Sequence, residues 1–291
     1  MGGADLASSL AVDCRTPDPL WAQVPQSAWP KLGAVQLWSV DELSGGAGKL
    51  RANFYLTCEN IPIMTLNDTG LSDCVSDDLF SRQNCPVPGL PGQDGDYGRD
   101  ALASSGLLQK KGGGAAGFDF TKLDSQGQEL NGSAASWSCV RDNVTGLVWE
   151  TKQEWDGGEV SSVANVSWYN PDPATNGGVA GTPNVGTSCF SLCDTSRYVQ
   201  YFNQQRICGS SNWRVPTKTE LRTIVNLGRA QPAVDVSYFP LMNTNVGNRY
   251  WTSTTTAQSA DSAWAIDFAA AVDQIWLKSQ KARVVLVHDE Q

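Results

Sequence analysis

Apolar positions fall into short runs of two different periods. In the last third, Trp264, Ile266 and Phe268 alternate with Ala263, Ala265 and Asp267, the period of a strand. Gln274 to Ser279 can pair back across Ala270-Ala271-Val272-Asp273, and Arg283 to Val287 reads as the strand that closes the sheet. Leu147-Val148-Trp149 follows a tight turn and is a strand whose Trp enters the core. Tyr198, Tyr201 and Phe202 recur at helical spacing, on a helix capped by Asp194 or Thr195 and ending before Cys208-Gly209. Near the start, Val35 to Val40 and Arg51 to Thr57 form a hairpin across Gly45-Gly46-Ala47-Gly48. Ala4 to Val12 reads as a short helical remnant, and Pro17, Pro19, Pro25 and Pro30 rule out long regular structure beside it.

The stretch Asn212 to Arg222 joins these patterns. Pro216 keeps Val215 out of the helical region, so the chain enters extended. Thr217 then offers an N-cap hydroxyl, and Glu220, three residues on, completes a capping box. Leu221, Ile224 and Val225 share one face of a helix of two to three turns, with Asn226 and Gly228 as its stop. Trp213, Arg214, Pro216, Thr217 and Glu220 are therefore assigned a structural role.

Eleven Trp and 41% hydrophobic residues give the chain enough apolar side chains for a sizeable core, while 28 Gly and 14 Pro demand many turns, so the balance is loop-rich and β-rich. A net charge of -9 argues against nucleic acid or anionic lipid as a partner. Gln93-Asp94-Gly95-Asp96 lacks the offsets of a calcium loop, and Gly112-Gly113-Gly114 lacks the Gly-Lys-Ser/Thr of a phosphate loop. Cys74 to Gly98 reads as a disulfide-closed surface loop and Asn170 to Gly186 as an insertion. Asn67, Asn131, Asn143 and Asn165 open glycosylation sequons, matches short enough to be common by chance.

Eight cysteines, Cys14, Cys58, Cys74, Cys85, Cys139, Cys189, Cys193 and Cys208, form an even set without Cys-x-x-Cys pairs, and the single histidine is His288. Disulfides in an oxidising compartment follow, extracellular or on a cell surface, with no metal and no cofactor expected. Proximity suggests Cys14 with Cys58, Cys74 with Cys85, Cys193 with Cys208, and Cys139 with Cys189. No apolar run reaches the ~18 to 20 residues of a membrane helix. Met1-Gly2-Gly3 reads as a trimmed start, which is compatible with a signal or membrane-anchoring helix upstream.

Trp213-Arg214-Val215-Pro216-Thr217 with Glu220-Leu221 resembles the signature of the C-terminal domain of the Legionella collagen-like adhesin and its bacterial relatives. Asp96 to Ala101, Asp142 to Trp149, Tyr238-Phe239-Pro240, Tyr250 to Thr255 and Ala263 to Phe268 are similar to further pieces of that family, in its order. The resemblance spans about residues 68 to 291. It implies an α+β, C-type-lectin-like domain over 67–291, while residues 1–66 fall outside the resemblance and read from their own alternation and cysteines as a small disulfide-tied, β-rich segment. Family members can bind sulfated polysaccharides, but Lys and Arg are scattered here apart from Lys110-Lys111. The resemblance also places a long loop and the last hairpin on a ligand-facing side, which makes Asn243, Asn245, Asn248, Arg249, Tyr250, Trp251, Asp261 and Trp276 the candidate binding residues. Trp251 and Trp264 have a stronger claim as core residues.

Catalytic constellations are absent from the sequence. His288 near the end is the only imidazole available to a nucleophile, no motif selects two of the 30 acidic residues for glycoside hydrolysis, and an even cysteine count argues against the sulfatase-activating chemistry of a related lectin-like branch. The calcium-binding triplets of animal lectins are missing too, since Gln231-Pro232 is followed by Ala233 and there is no Trp-Asn-Asp. Sugar recognition would then use aromatic stacking and amide hydrogen bonds. The reading is a noncatalytic adhesin-type module for a glycan or a host or bacterial surface protein, without insertion into a membrane. Two alternatives are a filament or pilus subunit, including a homo-oligomer, and a display scaffold with a diversified C-terminal loop.

Overall fold

The computed structural model describes residues 66–78, 81–152, 164–187, 191–242 and 249–290, and the backbone of 35–37 and 54–56. The chain forms two compact units, Met1–Met64 and Thr65–Gln291. In the first, β1 (Val35–Leu37) pairs antiparallel with β2 (Phe54–Leu56), Val35 opposite Leu56, which is the hairpin expected from the alternation. The helical remnant at Ala4 to Val12 and the Cys14 to Cys58 link lie outside the described residues.

The second unit is strand-rich α+β. It begins with a short hairpin, β3 (Asp73–Val75) and β4 (Arg82–Asn84), closed by the expected disulfide Cys74–Cys85. Helix α1 (Gly98–Ser104) follows, and its Asp100 carboxylate is buried, accepting from the Gly70 and Gly117 N–H groups. Next come β5 (Phe120–Leu123), β6 (Cys139–Asp142) and β7 (Leu147–Glu150), which with the last strand β14 (Val287–Asp289) make a sheet ordered β14-β7-β6-β5. Asp142 holds the β6–β7 turn, accepting from the Val144 N–H and the Thr145 hydroxyl.

Strand β8 (Asn165–Ser167) pairs with β9 (Gly186–Thr187) on one side and with the two-residue β13 (Lys281–Ala282) on the other, and β10 (Arg249–Thr256), β11 (Ser259–Asp267) and β12 (Val272–Leu277) form a meander. Alternation sends successive side chains of several strands into two different cores. Leu147 and Trp149 of β7, Tyr250 of β10 and Ile266 of β11 enter a cluster with Phe118, Phe120 and Phe239. Val148, Trp251, Ala263 and Ala265 enter the other with Trp168, Tyr198, Phe202 and Trp213. With both faces covered, the small side of β11 is as buried as the large one, and Trp264 is its half-buried member. Arg283 to Val287 does not run as one strand. Val284 and Leu286 point into one core and Val285 and Val287 into the other, while ladder pairing is confined to β13 and β14 on either side.

Two helices flank the Trp213 segment. Helix α2 (Thr195–Gln205) is N-capped by Asp194, whose carboxylate accepts from the Arg197 N–H, and it buries Tyr198 and Phe202. Helix α3 (Lys218–Arg222) starts at Thr217 with both halves of the capping box formed. It is shorter than the pattern suggested, because Thr223 and Val225 continue as turns that carry Ile224 and Val225 into the core.

The remaining bridge corrects the sequence pairing. Cys139 bonds to Cys208, not Cys189, and Cys193 is disulfide-bonded but not to Cys208. The reason is helix length. Cys193 and Cys208 flank the two ends of an eleven-residue helix, about 16 Å at 1.5 Å per residue, whereas bridged Cα atoms lie about 4.4–6.8 Å apart. Cys189 and Cys14 lie outside the described residues, and no free cysteine occurs among the described ones.

Candidate functional site

Trp213 is the buried centre of the Asn212 to Arg222 stretch. Its indole N–H donates to the Ile207 carbonyl at 2.8 Å, its backbone N–H donates to the Asn203 side chain, and its ring meets His288 edge-on. Beyond it the chain runs extended, with Arg214 bridged to Val287, and Pro216 accepts from the Ser253 N–H. Extension turns Arg214 away from the Trp213 side, and with Val215, Thr217 and Glu220 it forms one wall of a cleft of about 490 Å³.

The opposite wall is built by residues after β8 and by the first turns of α2. Tyr169, Asn170 and Pro171 come from the former, and Ser196, Val199 and Gln200 from the latter, with Ser253 of β10 at one side. The chain returns over this wall through a bridge between Tyr169 and Gly181. Gly181 has φ +83°, and a Cβ there would lie 2.1 Å from the Trp168 carbonyl oxygen, so the close return requires glycine.

The charges of the cleft are internally matched. Its lining holds one cation and one anion, and these form a two-pronged pair: Arg214 Nη1 to Glu220 Oε2 at 2.7 Å and Nη2 to Oε1 at 2.8 Å. Asp289 lies 3.3 Å from the same guanidinium. Burial alone would raise the Glu220 carboxyl, but hydrogen bonds from Arg214 and the Thr217 N–H, with the Arg214 charge, hold it below its ordinary value. The Glu220 hydrogen bonds likewise raise Arg214 against the opposing effect of burial.

Several polar atoms of the cleft are unengaged. The Tyr169 hydroxyl, the Ser253 hydroxyl and the Gln200 carbonyl oxygen have no hydrogen-bond partner among the described residues, although the backbone of Tyr169 is clamped at both ends by Thr195 Oγ1. The Asn170 side chain is committed, donating to Thr175 and accepting from the Asp172 N–H.

The sequence candidates scatter. Asn243, Asn245 and Asn248 lie outside the described residues. Tyr250 and Trp251 are fully buried on opposite sides of β10, with the Trp251 indole donating to the Val166 carbonyl, so neither side chain faces a ligand surface. Asp261 is exposed and accepts from the Ser259 and Ser262 hydroxyls, which hold its carboxyl below the usual range. It sits at the far end of the meander from Arg249, which pairs with Asp267, six residues or about 20 Å along the strand.

Arg249 and Trp276 are the two candidates that meet. The guanidinium carbon lies 3.9 Å from the indole centroid, and Arg249 also donates to Gln274. The ring is thereby capped by a cation of the same chain, while its other side packs on the core. Lys218 caps Trp264 in the same way at 3.5 Å. Tyr169, Ser196, Gln200 and Ser253 were missed as candidates. Trp168-Tyr169-Asn170-Pro171 is an aromatic and amide run opening a Gly- and Asn-rich insertion, but nothing in it locates the opposite wall.

Burial elsewhere has a different purpose. Lys152 donates to Glu150 at 2.6 Å and to the Tyr198 hydroxyl at 2.9 Å, and that hydroxyl donates to Glu150 at 2.6 Å. The second oxygen of Glu150 accepts from the Leu286 N–H. All three side chains are closed off from solvent and tie β7 to α2. Among the described residues no helix is long and apolar enough to cross a membrane.

The family model for the Lcl C-terminal domain matches residues 138–288, from just before β6 into β14. The match takes in both walls of the cleft and leaves α1 and its Asp96 to Ala101 motif outside. No curated protein and no solved structure gave a match to the chain.

Proposed function

The chain belongs to the Lcl C-terminal domain family, and from that premise we propose that it is a noncatalytic binding module of an exported bacterial surface or secreted protein, with the Tyr169–Arg214 cleft as its ligand site. The family supports an adhesin-related domain of a surface protein. The observation that carries the choice of site is the cleft itself. One wall is the capped Asn212 to Arg222 stretch, and the other presents a half-buried ring beside unengaged hydroxyl and amide groups, the usual make-up of a small-ligand site.

Noncatalytic binding is supported by the commitment of the only lining carboxylate. Glu220 is held ionised by Arg214 and by the cap of α3, which makes it a poor proton donor and leaves it no freedom as a base. A C-type-lectin-like arrangement is part of the same reading, supported by two helices flanking the Trp213 segment and a terminal meander. Export is supported by the disulfides Cys74–Cys85 and Cys139–Cys208.

The test is binding of the full chain to glycan arrays and to host and bacterial cell surfaces, beside the Tyr169→Ala/Gln200→Ala variant. Binding by the parent chain and its loss in the variant, with unchanged thermal stability, is the expected result. Equal binding by both chains would remove the cleft as the site, and turnover in a hydrolase screen would overturn the noncatalytic reading.

A further inference from the structure

We infer that the cleft is a subsite for one or two residues of an uncharged saccharide, an inference that rests on the cleft being the ligand site. Charge is the first consideration. Arg214 is saturated by Glu220 and faced by Asp289, so an incoming sulfate or carboxylate would meet two carboxylates and a guanidinium already spent, on a chain of net charge -9. An ammonium group would have to compete with Arg214 for Glu220. A neutral ligand disturbs neither.

The unengaged atoms narrow the class. Tyr169 and Ser253 offer hydroxyls that both donate and accept, and Gln200 offers a carbonyl acceptor. Such a set matches ligand hydroxyls, which also do both, and it gives no ordered row of backbone partners of the kind an added peptide strand uses. Val199, Val215 and Pro171 supply apolar wall for the C–H faces of a sugar ring.

Aromatic availability points the same way. Lys218 caps the Trp264 ring, Arg249 that of Trp276 and Lys278 that of Trp168, whereas no cation covers Tyr169 among the described residues. Tyr169 is therefore the ring free to stack, anchored by the two backbone hydrogen bonds to Thr195. A volume of about 490 Å³ is at the small end of ligand pockets, which run about 300–1,000 Å³, so the cleft holds a short piece of a chain and not an extended polymer.

The experiment titrates the full chain with lactose, mannobiose and N,N′-diacetylchitobiose by ligand-observed NMR and calorimetry. A heparin disaccharide and surface proteins from the cell-binding assay serve as the contrasting probes. At least one neutral sugar should bind, with an affinity that does not change when salt is raised, because no charge is neutralised. Tyr169→Ala should weaken it roughly tenfold, the equivalent of about 1.4 kcal/mol. Tyr169→Phe, which keeps the ring, should weaken it less, and Trp276→Ala should leave it unchanged. Tighter, salt-sensitive binding of the heparin disaccharide overturns the inference, as does sugar binding that ignores both Tyr169 variants. If only a surface protein binds, and Tyr169→Ala abolishes that binding, the inference fails while the cleft stands as the site. If neither sugar nor protein responds to the cleft variants, both fall.

Discussion

The ammonium of Lys278 lies 2.8 Å from the backbone carbonyl oxygen of Asn176, more than a hundred residues away in sequence, and it takes Val179 and Ala260 carbonyls at the same distance. One fully buried cation thus pins the Asn170 to Gly181 return, which carries the Tyr169 wall, to the end of the β11–β12 hairpin. Thr255 adds a second donor to Asn176. Replacing Lys278 by Met keeps the stem and removes all three hydrogen bonds, at an expected cost of roughly 2–3 kcal/mol. Urea denaturation gives the cost, and limited proteolysis should show new cleavage within 171–181. Unchanged stability and protease resistance would mean that the loop is held by other contacts.

A second prediction concerns the Glu150, Lys152 and Tyr198 network. Lys152→Met leaves Glu150 charged in a dry core beside Tyr198, and such broken pairs typically cost about 3–5 kcal/mol. Glu150→Gln/Lys152→Met, which removes both charges, should recover most of that loss. The double-mutant cycle in denaturant is the measurement, and a double variant as unstable as the single one would show that packing, not charge, dominates.

The disulfides give a third. Cys139–Cys208 spans 69 residues and joins β6 to the turn after α2, while Cys74–Cys85 spans 11. On chain entropy alone the longer loop is worth about 4 kcal/mol and the shorter about 3. Cys139→Ala/Cys208→Ala should therefore lower the denaturation midpoint more than Cys74→Ala/Cys85→Ala, and an equal or reversed order would contradict the chain-entropy ranking. Thiol labelling of the denatured, nonreduced chain should find none of these four free.

Much of this fold is legible in the sequence, for local reasons. Thr217 and Glu220 predict a helix start because a capping box needs only three residues of spacing, and Asp194 or Thr195 marks another as an N-cap side chain, the structure using Asp194. The meander is readable from a period of two. What local pattern cannot supply is which face of a strand is covered. Trp251 and Tyr250 are adjacent and aromatic, and only tertiary packing shows that each enters a different core. The predicted helix between Cys193 and Cys208 is itself incompatible with a bridge between them, because it holds its two ends too far apart. The cleft was not readable, because Tyr169, Gln200 and Arg214 meet through three separate elements.

Acid should act on this fold through two buried groups in opposite directions. Burial raises the Asp142 carboxyl to about 6, only partly offset by hydrogen bonds from Thr145, Val144 and Asn67. The folded state then holds a proton that the unfolded state releases near its ordinary value of 3.8, so Asp142 contributes falling stability as pH rises from about 4 to about 6, by up to roughly 3 kcal/mol. Burial lowers His288, whose stability contribution is present above pH 6.5 and is lost as pH falls through its folded value. Denaturation midpoints of Asp142→Asn should lose the slope between about pH 4 and 6, while His288→Gln should lose the opposing one below about 6.5. A parent profile flat across both windows, with no change in either variant, would refute both assignments.

The last prediction joins stability to selectivity at Glu220. Its carboxylate caps α3 through the Thr217 N–H at 2.7 Å and neutralises Arg214 at 2.7 and 2.8 Å. Glu220→Gln keeps the size and one capping acceptor but removes the charge, so the cap survives in weakened form at a cost on the order of 1 kcal/mol. The carboxyl is held below its ordinary value in the fold, so its contribution is present at neutral pH and disappears as pH falls through the acid range. The cost of the substitution should therefore shrink at low pH. In the cleft, the lining loses its one anion and Arg214 keeps only the more exposed Asp289, so the guanidinium is less fully neutralised. Affinity for a neutral saccharide should change little, while affinity for its sulfated counterpart should rise and become salt-sensitive. Calorimetry with the two sugars at low and high salt distinguishes the cases. If Glu220→Gln weakens the neutral sugar sharply and gains nothing for the sulfated one, Glu220 touches the ligand directly and its pairing with Arg214 is not what sets the charge of the site.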